Sequence, residues 1–272
     1  MAFANSGKSR RLARLFHHSD GRAVILPIDD GLISGPGAWL SDLSKCFSNI
    51  GSSPPDGVLL FAGVLSRYWS ALGAPAAIVN VTVSTKGAAH TRKFLCTDVG
   101  AAVAAGADLV AVHVNVTSRH EGDMLRTLTT TVREAEAFGV PVFAIMYPRS
   151  EGDGDDDNNY QELRRADPEG YSRLVAHAAR IGMELGADVI KTQYTGSPET
   201  FERVVEATRP VPVVIAGGPL CSESEALSAA RGAIAAGGRG VSFGRNVFER
   251  DDPPHMLRLL QSAVHEEGSP HS

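Results

Sequence analysis

Cysteine is scarce in this 272-residue chain. The three residues, Cys46, Cys96 and Cys221, are far apart and share no C-x-x-C or His-rich spacing. That excludes a disulfide framework and a zinc ribbon, and it suits a reducing, cytoplasmic setting with no metal. Long apolar runs are also missing: none approaches the roughly 20 residues needed to cross a bilayer. The opening MAFANSGKSRRLARLFHHSDGR is basic but lacks the continuous apolar stretch of a signal peptide, and residues 1–22 read as a lead-in helix or arm. An excess of positive charge is absent too. The formal net charge is −5 and the isoelectric point about 6.0, so there is no general electrostatic reason to bind nucleic acid or an anionic membrane. Small anions must be met locally.

With 43% hydrophobic and 21% charged residues, the composition is that of an ordinary soluble enzyme with a sizeable core. From residue 23 one unit recurs: a short apolar or β-branched run, a turn with Gly, Pro or Asp, then an Ala/Leu/Glu/Arg-rich stretch of helical period. Eight such runs occur: AVILPID (23–29), GVLLFAG (57–63), AAIVNVTV (76–83), DLVAVHVNV (108–116), PVFAIMY (141–147), DVIKTQY (188–194), VPVVIAGG (211–218) and GVSFGR (240–245). Near-continuous apolar strands alternating with helices imply a parallel sheet covered on its outer face. Eight units in about 250 residues predict a single-domain (β/α)8 TIM barrel over 23–267, with a tail at 268–272; a doubly wound open sheet is the alternative.

Local signals agree with this partition. Ser197-Pro198 puts a cap residue before an N1 proline, and Ser222 to Glu225 has capping-box spacing. Gly-Ala-Asp recurs at 106–108 and 186–188 as a tight helix-to-strand turn. One segment breaks the rhythm: SEGDGDDDNNYQELRRADPEGY reads as a mobile acidic loop before a helix near Asp167-Pro168. Its Asp153, Asp155, Asp156 and Asp157 lack calcium-loop spacing, which favours a solvated loop over a cation site.

In a barrel, polar residues at the carboxyl ends of the strands converge on one face. The ends here are Asp29-Asp30-Gly31, Tyr147-Pro148-Arg149, Lys191 with Tyr194, Gly217-Gly218 and Gly244-Arg245-Asn246. Lys191 is either a snorkelling surface charge or a desolvated amine able to attack a ketone. Schiff-base carbon–carbon chemistry also needs proton transfer, which Tyr147 and Asp29 can supply; otherwise they are a packed phenol and a turn aspartate. The glycine turns after the seventh and eighth strands, with Arg245, suit a phosphate.

ILPIDDGLISGP, MYPRS, ADVIKTQYTGSPETF, VPVVIAGGP and GVSFGRNVFERDDP resemble, in order and spacing, the archaeal-type class I fructose-bisphosphate aldolases and their relatives, the 2-amino-3,7-dideoxy-D-threo-hept-6-ulosonate synthases. The likeness runs from about residue 10 to 267. K-T-x-Y-T-G is its most specific part, and M-Y-P-R is similar to the heptulosonate synthases. The resemblance implies a Schiff base on Lys191, an acid/base Tyr147, the strand-one aspartate Asp29, and phosphate held by Gly217, Gly218, Gly244 and Arg245. It further implies a metal-independent, cofactor-free homo-oligomer acting on a phosphorylated small molecule. In similar enzymes of actinomycete type the reaction joins dihydroxyacetone phosphate to L-aspartate 4-semialdehyde. Asp30 stands where the family has histidine, which puts substrate selection on this residue. Three rival expectations are a fructose-bisphosphate aldolase, a phosphosugar isomerase or epimerase using Asp29 as base, and a non-catalytic phosphosugar sensor.

Overall fold

The eight apolar runs form eight parallel strands: β1 (Ala23–Pro27), β2 (Gly57–Leu60), β3 (Ala76–Asn80), β4 (Leu109–Val116), β5 (Val142–Pro148), β6 (Val189–Gln193), β7 (Val213–Ala216) and β8 (Gly240–Ser242). In this computed structural model, which describes residues 6–35, 37, 39–85, 90–152 and 157–265, they pair in sequence order and β8 returns to β1. The closing register sets Ala23 against Gly240 and Ile25 against Ser242. The sheet is therefore a closed barrel and not the doubly wound alternative.

Strand after strand is buried on both faces because the pleat sends alternate residues inward and outward, and both sides are apolar. Ile25, Leu59, Ile78, Leu109, Ala111, Phe143, Ile145, Val189 and Val214 fill the interior. Their outward neighbours pack under eight helices: α1 (Leu43–Ser52), α2 (Ala62–Leu72), α3 (Val99–Ala104), α4 (Glu121–Phe138), α5 (Pro168–Glu184), α6 (Pro198–Thr208), α7 (Glu223–Ala235) and α8 (Pro253–His265). Each fully buried aliphatic side chain contributes roughly 1.5–3 kcal/mol.

A further helix, Ser6–Leu15, precedes β1. Its Leu12 and Leu15, with Phe16, pack against the interior residues at the amino ends of the strands. Gly57 makes room, since a Cβ there would lie 2.7 Å from Leu15 Cδ1.

Three aspartates organise the same end. Asp56, Asp108 and Asp188, just before β2, β4 and β6, accept the backbone N–H of Val24 (2.6 Å), Ala77 (3.0 Å) and Val142 (2.8 Å) on the preceding strand. Each meets a cation or imidazole: Arg14 lies 2.8 Å from Asp108, Lys8 3.0 Å from Asp188, and His18 and His265 3.0 and 3.1 Å from Asp56. The Gly-Ala-Asp turns are thus more than turns. Gly106 and Gly186 take φ of +103° and +97°, where only glycine is unstrained, while the aspartates lock strands together.

The helix starts follow their sequence signals, with Asp167, Ser197 and Ser222 each capping as the spacing predicts. Two small antiparallel pairs stand on the carboxyl side: Thr82–Val83 with Phe94–Leu95, and Ser150–Glu151 with Asp157–Asn158. The acidic segment is therefore partly a hairpin, followed by a short helix Gln161–Ala166. Of its carboxylates, Asp157 lies 3.8 Å from Arg149, while Asp153, Asp155 and Asp156 fall outside the described residues. So does the tail at 268–272.

Candidate active site

Side-chain alternation along β6 settles where Lys191 points. Val189 belongs to the barrel interior and Ile190 to the outer layer, so Lys191 faces inward, in register with Ile145 of β5 and Val214 of β7. It is 7% exposed, and its amine has no hydrogen-bond partner among the described residues. Burial lowers the ammonium pKa to about 8; Asp29 opposes that, Arg245 reinforces it, and Asp30 opposes it more weakly.

Asp29 sits two residues beyond β1, at the start of a short helix Asp30–Ile33. Its carboxylate accepts from Asn80 Nδ2 at 2.9 Å, and Asn80 is itself held by the Thr82 N–H and hydroxyl, each 3.0 Å from its Oδ1. Asp29 and Asn80 also border a largely apolar cavity of about 590 Å3 lined by Leu32, Leu40, Phe61, Val64 and Tyr68. Burial pushes the Asp29 carboxyl upward, while the Lys191 charge and the Asn80 hydrogen bond pull it back. Asp30 is half-buried, takes a 3.4 Å contact from the Ser34 hydroxyl, and supports the charged form of Lys191.

Tyr147, at the end of β5, continues the inward series of Phe143 and Ile145. Burial raises its pKa, so the phenol stays protonated near neutrality. The ring meets the edge of His113 at 5.0 Å, and the Arg149 guanidinium lies 5.4 Å from its centroid. His113 is buried and kept neutral by desolvation, with the Lys93 and Arg149 charges acting the same way; its Nε2 lies 3.0 Å from Asn115 Oδ1.

The glycine turns of β7 and β8 lie side by side. A Cβ at Gly217 would come within 3.0 Å of the Phe243 ring, and one at Gly244 within 2.9 Å of Phe248 and 3.1 Å of the Pro27 carbonyl. Gly218, at φ +68°, turns the chain with open space beside it. Asn246, buried, staples the turns together: its Nδ2 donates to the Gly217 and Pro219 carbonyls (2.9 Å each), and its Oδ1 accepts from the Cys221 N–H at 3.1 Å. Arg245 is exposed at the rim, near enough for its charge to lower the pKa of Lys191 and of His90.

The structure thus brings Lys191, Asp29, Tyr147 and the glycine turns to one end of the barrel. Tyr194 is the exception among the strand-end residues. It turns outward onto Phe201, with ring centroids 5.5 Å apart, and its hydroxyl lies over Gly232 of α7, where a Cβ would be 2.2 Å away. Two residues at this end do not stand out in the sequence. Arg149 has only its place after a strand to mark it. Lys93 carries no signal at all, because an isolated Arg-Lys pair before Phe94 looks like a solvated turn; yet Lys93 is 3% exposed. Its ammonium bonds to Ser84 Oγ and lies 3.2 Å from His90 Nδ1, and burial together with the Arg149 charge lowers its pKa to about 7. Among the described residues, one group has metal-ligand spacing, His17 with His18 and Asp56, and it lies at the opposite end.

A family model described as DeoC/LacD family aldolase matches residues 23–250. The chain is 37% identical over 267 residues to a 2-amino-3,7-dideoxy-D-threo-hept-6-ulosonate synthase of Halobacterium salinarum, covering 98% of this chain and 94% of the relative. It is 35% identical to a 2-amino-4,5-dihydroxy-6-oxo-7-(phosphonooxy)heptanoate synthase of Streptomyces griseus, covering 96% and 92%. Among solved structures, an archaeal fructose-1,6-bisphosphate aldolase with its catalytic lysine covalently bound to a carbinolamine intermediate superposes with a TM-score of 0.82 at 28% identity, covering 95% of this chain and 99% of that one. No described helix is long and apolar enough to cross a membrane. An inward lysine on a closed barrel, matched along nearly its whole length by such relatives, identifies the chain as a member of the DeoC/LacD aldolase family, a Schiff-base class I aldolase whose chemistry needs no metal.

Proposed function

We propose that Lys191 is the Schiff-base lysine, that Asp29 and Tyr147 move the protons, and that the aldolase joins a dihydroxyacetone-phosphate-type donor to L-aspartate 4-semialdehyde. The observation that carries this reading is Lys191, a residue 7% exposed and facing into the barrel, whose amine burial lowers to about 8 against the opposing charge of Asp29. At neutral pH a usable fraction of it is uncharged. That amine attacks the donor ketone, and the carbinolamine loses water to an iminium. Asp29 orients the amine and handles the carbinolamine proton. The iminium draws electrons from the adjacent carbon, which gives its proton to the Asp29 carboxylate and becomes an enamine. The enamine carbon attacks the aldehyde, and Tyr147, held protonated, donates to the new alkoxide. Water then releases the product and the free amine.

The donor phosphate fits the paired turns at Gly217, Gly218 and Gly244, with Arg245 at the rim adding charge-assisted bonds. The relatives' names support the acceptor. A 2-amino-4,5-dihydroxy-6-oxo-7-(phosphonooxy)heptanoate, cut between its fourth and fifth carbons, yields aspartate 4-semialdehyde and dihydroxyacetone phosphate. The second reading, fructose-1,6-bisphosphate cleavage, is favoured by the structural neighbour at TM-score 0.82 but not by the 35–37% identities of the heptulosonate-type relatives. Membership of a Schiff-base aldolase family replaces the isomerase, epimerase and sensor alternatives. Association into homo-oligomers and a cytoplasmic setting belong to the same reading; the exposed Trp69, Phe94 and Leu95 support the first, which light scattering on the purified chain tests.

The test is chemical. Incubation with dihydroxyacetone phosphate followed by borohydride should fix a three-carbon phosphate adduct on Lys191, located by peptide mass. An unmodified Lys191 under turnover conditions sinks the assignment.

A further inference from the structure

Across the barrel mouth from the glycine turns, two cations stand without full partners. Arg149 follows β5. Its Nε donates to Asn159 Oδ1 at 2.8 Å and lies 3.8 Å from Asp157, but its Nη1 is buried without a hydrogen-bond partner among the described residues. Lys93, on the loop after β3, bonds only to neutral groups, Ser84 Oγ and His90. A buried ammonium hydrogen-bonded to no carboxylate is costly in a finished fold, and here the charges of Asp29, Asp157 and Asp30 support it only in part against burial and Arg149. The loop that carries it is nonetheless tied down: Asn115, fully buried on β4, donates to the His90 carbonyl at 3.2 Å and the Thr91 carbonyl at 2.9 Å. The same Asn115 holds His113, whose ring edge meets Tyr147, and Arg149 lies over the same Tyr147 ring. Arg149 therefore lies against the phenol that donates to the new alkoxide, and Lys93 is near enough for its charge to act on His113 beside that phenol and for the Arg149 charge to act on it.

We propose that Lys93 and Arg149 form a second anion subsite that takes the carboxylate of the aldehyde acceptor. The inference rests on the acceptor reading above and deepens it. With the donor phosphate at β7 and β8, the acceptor aldehyde lies beside Tyr147, and its carboxylate, three carbons farther on, extends toward the β3 and β5 loops. One ammonium and one unpaired guanidinium nitrogen match the two oxygens of a carboxylate. Among the described residues, no pair of glycine turns like that of β7 and β8 adjoins them. Burial and the Arg149 charge already lower Lys93 to about 7, so an arriving anion holds its proton in place.

The experiment compares two four-carbon acceptors, L-aspartate 4-semialdehyde and butanal, with dihydroxyacetone phosphate as donor and the full chain as enzyme. Losing one charge-assisted contact should lower the ratio of their kcat/KM values by about 10- to 100-fold in Lys93→Gln, with Arg149→Gln behaving alike and Lys93→Arg recovering most of the ratio. Borohydride trapping on Lys191 in each variant shows that the site has folded. Three results overturn the subsite: an unchanged ratio in trappable variants, an equal loss on both aldehydes, or a selective loss confined to glyceraldehyde 3-phosphate, which would make it a phosphate site. A wild-type chain that is trapped by the donor but inert toward aspartate semialdehyde sinks the acceptor reading and the subsite with it. A wild type that uses it while the variants keep their selectivity sinks the subsite alone.

Discussion

The two ends of this barrel treat charge in opposite ways. At the amino ends of the strands, Asp56, Asp108 and Asp188 each accept a backbone N–H and each meets a basic side chain within 3.1 Å. At the carboxyl ends, Lys191 has no hydrogen-bond partner among the described residues, Lys93 has only neutral ones, and Arg149 keeps a buried nitrogen unpaired. Satisfied groups hold the fold; unsatisfied ones are held by it for a ligand.

The contrast has a pH signature. Lys191 titrates at about 8 in the folded chain against an ordinary value of 10.5, so between those values the unfolded chain binds the extra proton and stability rises with pH. His265 behaves the other way. Burial alone would lower its pKa, but hydrogen bonds to Asp56 and Asp20 win and hold it above 6.5. Its contribution is therefore complete below 6.5 and is lost as pH rises through the folded value.

The sharpest way to break the mouth is Lys191→Met. Turnover in an aldol assay should fall by at least about 1000-fold. Because a desolvated charge has been removed, urea denaturation should show no loss of stability, and the rise of stability above pH 8 should disappear; a strongly destabilised variant would mean that Lys191 is structural. The corresponding change at the base is Asp56→Ala, which orphans the Val24 N–H and the Nε2 of His265, whose Nδ1 keeps Asp20. It should cost about 3–5 kcal/mol in urea denaturation, while the variant that remains folded at low temperature still traps dihydroxyacetone phosphate. A loss below 1 kcal/mol would show that the base is not held by these pairs. The smallest effect belongs to Asp30→Asn. Asp30 supports the Lys191 ammonium, so its removal lowers the lysine pKa further and moves the acid limb of the kcat/KM profile to lower pH. A limb that moves to higher pH, or stays in place, would deny Asp30 any electrostatic role.

Much of this is legible in the sequence. The strands were visible because parallel barrel strands are apolar on both faces, so each reads as one uninterrupted run. The caps at Ser197 and Ser222 were visible because capping is local chemistry. Lys191, Tyr147 and the glycine turns could be brought together because each ends a strand, and the barrel supplies the geometry. What escaped depends on contacts between distant loops. Lys93 is buried by a hairpin that folds back over β4, and Asn246 matters through carbonyls more than 20 residues away. Tyr194 was misplaced because alternation at a strand end fails once the chain turns, and the space under it is made by a glycine on another helix.

The aspartates at the base reach one strand back, from β2 to β1, β4 to β3 and β6 to β5, so the barrel is fastened in twos. Between β7 and β8 the pattern stops. At the closing seam, Gly240 of β8 lies so close to β1 that a Cβ would sit 1.9 Å from the Ala23 carbonyl oxygen. A circularly permuted chain opened just before β3 or β5 keeps every strand couple on one continuous segment, whereas one opened before β2, β4 or β6 divides a couple. The base therefore marks where this chain can be recut and where it cannot.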